Sequence, residues 1–434
     1  MSVSPPASPK RSHPDEDGSD RPVKQQKVDE RDLPSHFKGL KQTQRSGLEK
    51  VETLKSLKRS LEPEEDVPDF YGGRTKIAKL DDINADEETR RVRVANWANT
   101  IRRKKEVAKT IINADLASMP VEQQRGFDNF TGVLCYRISL FQALLHVPLL
   151  VTLLWQYHLP SACTAEDRTK CLACTFRSLI VAYWKAKAPG GGVDHRGPGL
   201  ALSSIFKQIH VLLRSRGWTE QGQADPDEQL TFIFRKLRED LPTSVYSVLD
   251  SLFASYTNQK IPCACGHSSI TTGTQSQMTV CLSPKISNGT LLQYITRGLS
   301  DTVTYRCANC HSEKARRLTR TFDYLPEILC VQLSRLDNMG RKINTVVQIP
   351  DLVDLTRLRN EESMGKEREE EPLKYELTSI VQHRGGNSSG HYTCSVEGPD
   401  GRWKMFNDSR VSNTGKGAVG NNFTPMLCFF KRTR

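Results

Sequence analysis

Residues 126–148 read GFDNFTGVLCYRISLFQALLHVP. A glycine-containing turn delivers Cys135 to the start of an apolar segment whose Ile138, Phe141, Leu144 and Leu145 recur at helical spacing, which predicts a helix with Cys135 at its N-terminus. The unpaired N–H groups and positive dipole end of a helix favour the thiolate form of a cysteine placed there, the form that attacks carbonyls. The competing reading is an ordinary buried core thiol.

A distant stretch decides between the two. Residues 383–411 read HRGGNSSGHYTCSVEGPDGRWKMFNDSRV, with His391 opening an alternating run and Asn407-Asp408 closing a second short strand after Trp403 and Phe406. A nucleophilic thiol needs an imidazole beside it, and the imidazole needs an amide or carboxylate to fix its tautomer and ring plane. The cysteine stretch and these two elements resemble, in order and type, the ubiquitin-specific protease patterns GLxNxGNTCYxNSxxQ, HxGxxxxGHYxA and WxxFxD, over the span from about 126 to the chain end. The resemblance implies an α+β, papain-like cysteine protease with thumb, palm and zinc-ribbon fingers. It also implies hydrolysis of the (iso)peptide bond after ubiquitin's terminal glycine, with Cys135 as nucleophile, His391 as acid and base, Asn407 as the orienting group and Asp408 in reserve.

The cysteine box departs from the family where the chemistry is. Val133-Leu134 stands for Asn-Thr, Ile138 for Asn, and Phe130 falls in register with the oxyanion Asn, leaving Asn129 one place further away. An insertion in the turn would return Asn129 to that role. The loss of one oxyanion donor costs on the order of 10²–10³ in rate, so a catalytically weak ubiquitin-binding scaffold, or a protease for another ubiquitin-like modifier, stands as the alternative.

Composition bounds the rest. The chain has 434 residues, 37% hydrophobic, with a formal net charge of +12 and 12 Cys. Residues 1–85 are rich in Ser, Pro, Lys, Asp and Glu, too polar to offset chain entropy by burial, and are expected to be a disordered extension. Lys10-Arg11 with Lys24 and Lys27 has the form of a split nuclear import signal. The absence of a secretory-type apolar core in 1–60 predicts an intracellular location, nucleus or cytoplasm, where cysteines serve as metal ligands, nucleophiles and buried thiols rather than disulfides. Residues 86–122 form a basic segment in which Trp97, Ile101, Ala108 and Ile112 share a helical face among Arg90, Arg91, Arg93, Arg102, Arg103, Lys104 and Lys105. Docking on the catalytic part (123–434) is expected over contact with nucleic acid, for which no reading motif is present. The apolar run 140–155 is too short and too interrupted to span a membrane.

Two groups of soft ligands suggest structural zinc. His158, Cys163, Cys171 and Cys174 precede an apolar helix, and the Cys-x2-Cys pair is the specific part. A similar cluster occurs in the coactivator-associated branch of the family, which implies a regulatory complex as partner. Cys263-x-Cys265 and Cys307-x2-Cys310 read as a zinc ribbon, with His267 or His311 as possible substitutes for one thiolate. By the resemblance the thumb covers about 123–255, the fingers about 256–325 and the palm about 326–434. Between the two groups, Asp225-Pro226 opens a helix whose Leu230, Ile233, Phe234 and Leu237 face inward, with Glu228 completing a capping box. The segment resembles a degenerate QQDAHEFL box, which implies that Asp225 and Glu228 hold the basic tail of ubiquitin. Residues 326–335, PEILCVQLSR, read as a buried strand, 357–372 as a charged surface insertion, and Cys330, Cys394 and Cys428 as inert buried thiols.

Overall fold

The computed structural model describes residues 78–79, 92, 95–104, 106, 124–158, 163–184, 198–220, 222–275, 277–282, 288–337, 339–360, 372–386 and 389–433. The import-type signal, Ala108, Ile112, most of the extension and residues 361–371 of the charged insertion lie outside these.

Seven helices carry the argument: α1 (95–104), α2 (Cys135–Leu145), α3 (Pro148–Thr152), α4 (Leu172–Trp184), α5 (Pro198–Ser215), α6 (Pro226–Asp240) and α7 (Thr243–Phe253). The nucleophile helix α2 is buried on every side, Arg137, Ser139 and Gln142 included, so the expected amphipathic stripe is a central helix instead. It ends where Val147 turns extended ahead of Pro148, which cannot donate to the preceding turn. α2 and the segment Pro148–Trp155 are consequently bent by 82°, and no single helix among the described residues is long and apolar enough to cross a membrane.

Among the described residues the strands form three sheets. β1 (Ala78–Lys79), β2 (Ser255–Pro262), β3 (Ser268–Gln275), β6 (Ser300–Arg306) and β7 (Glu313–Tyr324) form a sheet in the order β1-β3-β2-β7-β6. Ala78 and Lys79 lie in the stretch expected to be disordered. Their pairing with Thr272 and Thr271 is a backbone contact at a sheet edge, which needs no apolar side chains and leaves no mark in composition. The large sheet runs β14-β13-β12-β11-β15-β8-β4, with β10 (Leu352–Asp354) also on β11. Its strands are β4 (Met278–Cys281), β8 (Ile328–Ser334), β11 (Lys374–Gly385), β12 (Gly390–Glu397), β13 (Trp403–Asn407), β14 (Arg410–Asn413) and β15 (Thr424–Arg432). A third pair joins β5 (Gly289–Thr290) to β9 (Val347–Gln348).

The continuous apolar runs of β8 and β15 follow from burial on both faces. Ile328, Cys330, Leu427 and Phe429 join the core containing α2, while Leu329, Val331, Leu333, Cys428 and Phe430 join a second core on the opposite face. Each fully buried Leu or Phe contributes about 1.5–3 kcal/mol to holding the two cores on the sheet. Burial also pushes the thiols of Cys330 and Cys394 well up and that of Cys428 up to about 12, which suits inert core residues. The sheet thereby presents β12 and β13 to the N-terminal end of α2.

Candidate active site and metal centres

The two halves of the site meet through backbone. The Phe127 N–H donates to the Asp408 carbonyl (3.1 Å), and a Cβ added at Gly126 would lie 2.3 Å from that same oxygen. Only glycine lets the cysteine strand run this close to the histidine hairpin. Asn129 and Gly132 then close a turn by a hydrogen bond of 3.1 Å, with Gly132 at φ +79°. This turn sets the Asn129 side chain against the start of α2. The Asn129 carbonyl oxygen Oδ1 accepts from the Leu134 N–H (3.0 Å), and its Nδ2 donates to Asp408 Oδ2 (3.2 Å).

Cys135 begins α2 and is 1% exposed. His391 faces it from β12, and His391 Nε2 donates to Asn407 Oδ1 on β13 at 2.6 Å, leaving Nδ1 for the sulfur. The hydrogen bond to Cys135 is the leading cause that raises the His391 pKa. Burial opposes it, and Asn407 and the Asp408 charge reinforce it. Asp408 adopts φ +50°, a conformation an aspartate tolerates in a tight turn, and has one carboxylate oxygen, Oδ1, with no partner among the described residues. The structure therefore brings together Cys135, His391, Asn407, Asp408 and Asn129.

Beside this group lies the start of α6. Asp225 caps it by accepting from the Asp227 N–H (2.8 Å), Pro226 occupies the first turn, and Leu230, Ile233, Phe234 and Leu237 are fully buried. Burial raises the pKa of Asp225 and of Glu228, the latter also through Asp225. Asp227, which the sequence reading left unassigned, is pushed up to about 7 by burial and by the charges of Asp225 and Glu228, and one of its oxygens accepts from Gln332 Nε2. Three carboxylates thus crowd one helix end, an arrangement that favours a cation among them.

Two further residues escaped the sequence reading. Gln223 brackets the Gly390 backbone, Oε1 accepting from its N–H and Nε2 donating to its carbonyl, both at 2.7 Å, which fixes the residue preceding His391. Arg137 is fully buried on α2, its Nη1 donating to His210 Nδ1 (2.6 Å) and its Nη2 to the Tyr136 hydroxyl (3.2 Å). His210 accepts because it is neutral: burial, Arg137 and Arg214 lower it to about 4. The pattern GQAD held a signal for Gln223, since a polar residue just ahead of a helix cap has backbone within reach. A lone Arg two places after a cysteine held none.

The metal-ligand groups also assemble. Cys263, Cys265, Cys307 and Cys310 converge at the tip of the β3-β2-β7-β6 sheet, with sulfur separations of 3.3 Å (263–265), 3.6 Å (263–310) and 3.7 Å (265–307). Tetrahedral Zn–S bonds of about 2.3 Å place sulfurs roughly 3.8 Å apart, so the set fits a four-thiolate ion site. The ligand group has four cysteines, so neither His267 nor His311 is needed; His311 instead takes φ +55° in the second turn. The other group is internal: His158 Nε2 lies 3.2 Å from Cys174 Sγ and 3.6 Å from Cys171 Sγ, with Cys163 within 4.8 Å of the rest. The Cys174 N–H donates to Cys171 Sγ (3.3 Å), the turn expected of a Cys-x2-Cys pair, and this donor set also fits a metal ion.

Comparison with known proteins agrees with this layout. Residues 125–429 match the family model for ubiquitin carboxyl-terminal hydrolase. The chain is 25% identical over 315 residues to ubiquitin carboxyl-terminal hydrolase 36 of Drosophila melanogaster, covering 69% of this chain and 29% of that protein. It is 25% identical over 323 residues to ubiquitin carboxyl-terminal hydrolase 17-like protein A of Mus musculus (70% and 56%), and 23% over 329 residues to probable ubiquitin carboxyl-terminal hydrolase 8 of Schizosaccharomyces pombe (71% and 65%). The chain therefore spans less than two thirds of the length of these curated relatives. The fold is similar to the SAGA Ubp8/Sgf11/Sus1/Sgf73 DUB module bound to ubiquitin aldehyde, with a TM-score of 0.60 and 20% identity over 73% of this chain and 70% of that one. The family match runs through the cysteine turn, the acidic helix, the cysteine-tipped sheet and the histidine hairpin, and this chain belongs to the ubiquitin carboxyl-terminal hydrolase family.

Proposed function

We propose that the chain is a cysteine-type deubiquitinase that cleaves the amide or isopeptide bond after the terminal glycine of ubiquitin. The observation that carries this reading is His391 held between Cys135 and Asn407. The Cys135 sulfur attacks the glycine carbonyl carbon, His391 delivers its proton to the departing amine, and a water activated by His391 then releases the thioester. Asn407 keeps the ring in the tautomer this requires. The N–H of Cys135 and Asn129 Nδ2, which carries a second hydrogen beyond the one given to Asp408, receive the oxyanion. Asp225 and Glu228, joined by Asp227, hold the cationic tail that leads the glycine to the sulfur.

Zinc is the metal that suits both ligand groups, Cys263, Cys265, Cys307 and Cys310 at the fingertip and His158, Cys163, Cys171 and Cys174 inside. Its contribution is structural, cross-linking turns. The regulatory complex expected from the sequence draws support from the multiprotein character of the structurally similar DUB module. A nuclear site of action is the reading that the split basic motif, Lys10-Arg11 with Lys24 and Lys27, supports.

The 1% exposure of Cys135 favours a second reading, a ubiquitin-binding member in which the sulfur stays closed to substrate. Hydrolysis of ubiquitin bearing a C-terminal fluorogenic amide separates the two. Turnover by the wild type that vanishes in Cys135→Ala and in His391→Ala supports the enzyme. Saturable ubiquitin binding without turnover, even at high protein concentration, supports the scaffold.

A further inference from the structure

Helix α1 lies ahead of the family match at 125–429, yet it supplies buried partners to two carboxylates inside it. Lys104 Nζ sits 2.8 Å from Asp250 Oδ2, with side-chain exposures of 8% and 2%. The same Asp250 oxygen accepts from the Tyr256 hydroxyl (3.0 Å). One turn pair earlier, Trp97 Nε1 donates to Asp323 Oδ2 (2.7 Å), whose other oxygen accepts from Asn360 Nδ2 (2.6 Å). Ile101 completes the face, packing with Ala254, Tyr256 and Tyr324 in a small core of its own. Positions 97, 101 and 104 follow the i, i+4, i+7 spacing of one helix face, while Arg102 and Arg103 point to solvent.

The elements joined here matter. Asp250 lies on α7 in the helical half, Tyr256 at the root of β2, and Asp323 and Tyr324 at the root of β7. The Trp97 ring meets Tyr256 at a tilt, 5.4 Å between centroids, Tyr256 meets Tyr324 edge to face at 5.9 Å, and the Tyr324 hydroxyl donates to the Ser251 carbonyl (2.7 Å). A buried carboxylate whose cation is removed is left uncompensated in low dielectric, so detachment of α1 disfavours this arrangement of sheet root and helix.

We infer that α1 is a brace that sets the finger sheet against the helical half, with Lys104 and Trp97 as positioning residues for the grip on the globular body of ubiquitin. The activity readout rests on the deubiquitinase reading; the structural readout does not.

The test uses the full chain with Lys104→Met, and Trp97→Phe as the milder variant that keeps the ring but loses the N–H donor. kcat/KM is measured on fluorogenic ubiquitin and on a short peptide with ubiquitin's C-terminal residues, alongside hydrogen exchange and ubiquitin Kd. The expected result is a fall of about tenfold on ubiquitin, carried by KM, within the usual range of site-to-site coupling. The short peptide keeps its rate, and exchange rises at the roots of β2 and β7. Equal losses on both substrates, or faster exchange confined to 95–104 with ubiquitin Kd unchanged, overturn the brace. Should the wild type hydrolyse neither substrate, the enzymatic reading fails, and the exchange and Kd results still decide the brace.

Discussion

The catalytic junction and the fingertip are both places where distant pieces of chain meet, and they are held by opposite means. At the junction the ties are numerous hydrogen bonds and a close approach: backbone to backbone from Phe127 to Asp408, side chain to backbone between Asn129 and Leu134 and between Gln223 and Gly390, side chain to side chain from Asn129 to Asp408, with Gly126 against residues 408–409. At the fingertip, β6 is exposed along most of its length and β7 over its first half, so little apolar burial is available. What remains are four sulfurs and two turns. The proposed chemistry demands sub-ångström placement of a thiol and an imidazole, whereas the proposed grip on ubiquitin tolerates more play, and the two regions are stabilised accordingly.

If that contrast is right, changes at the junction act on rate and changes at the tip act on affinity. The largest effect is expected for Asn129→Ala, which removes the side-chain tie to Leu134 and the proposed oxyanion donor: kcat on fluorogenic ubiquitin should fall by about 10²–10³ with ubiquitin Kd nearly unchanged. Gly126→Ala comes next, because its methyl group cannot fit 2.3 Å from the Asp408 carbonyl and must push the two halves apart. A displacement near 1 Å predicts a loss of about 10² in kcat, again with Kd preserved. Metal removal by a chelator is the converse case. Exchange protection at the tip ends of β2, β3, β6 and β7 should disappear and KM for ubiquitin rise roughly tenfold, while a short tail peptide is cleaved as before. The internal His158 group sits among fully buried apolar neighbours such as Leu172 and Phe176, so α4 should stay protected under the same treatment.

The smallest effect concerns Asp227. Its folded pKa, about 7, stands above the ordinary 3.8, so the stability linked to its proton is complete below that ordinary value and is lost as pH rises toward 7. Asp227→Asn abolishes this loss. Its Tm should match the wild type near pH 4 and exceed it by a few degrees at pH 8, and its KM for ubiquitin should rise. An equal Tm difference at both pH values would show that Asp227 is not the titrating group.

The sequence disclosed the parts of both regions whose residue type is itself the function. Cys135, His391 and Asn407 are chemically costly choices at a helix start and at strand ends, and paired cysteines on turns announce a metal. The Leu230, Ile233, Phe234 and Leu237 face was visible because periodicity records burial directly. What stayed hidden depends on three-dimensional proximity. Gly126 looks like any turn glycine until Asp408 is seen against it, and Arg137 like a surface charge until α2 is found buried all round. Lys104 is the same lesson at the finger root, where one of a run of basic residues is taken inside by Asp250. The turn before Cys135 is a further case, since only the fold shows Asn129 tied to both Leu134 and Asp408.

The central claim is that the sulfur of Cys135 reaches the carbonyl end of ubiquitin under the guidance of His391. Its most direct test is ubiquitin carrying a C-terminal thiol-reactive group, followed by intact-mass measurement and peptide mapping. The account predicts a single adduct on Cys135, absent in Cys135→Ala and strongly slowed in His391→Ala. Ubiquitin that binds but leaves every cysteine unmodified, or that labels a cysteine other than 135, contradicts it.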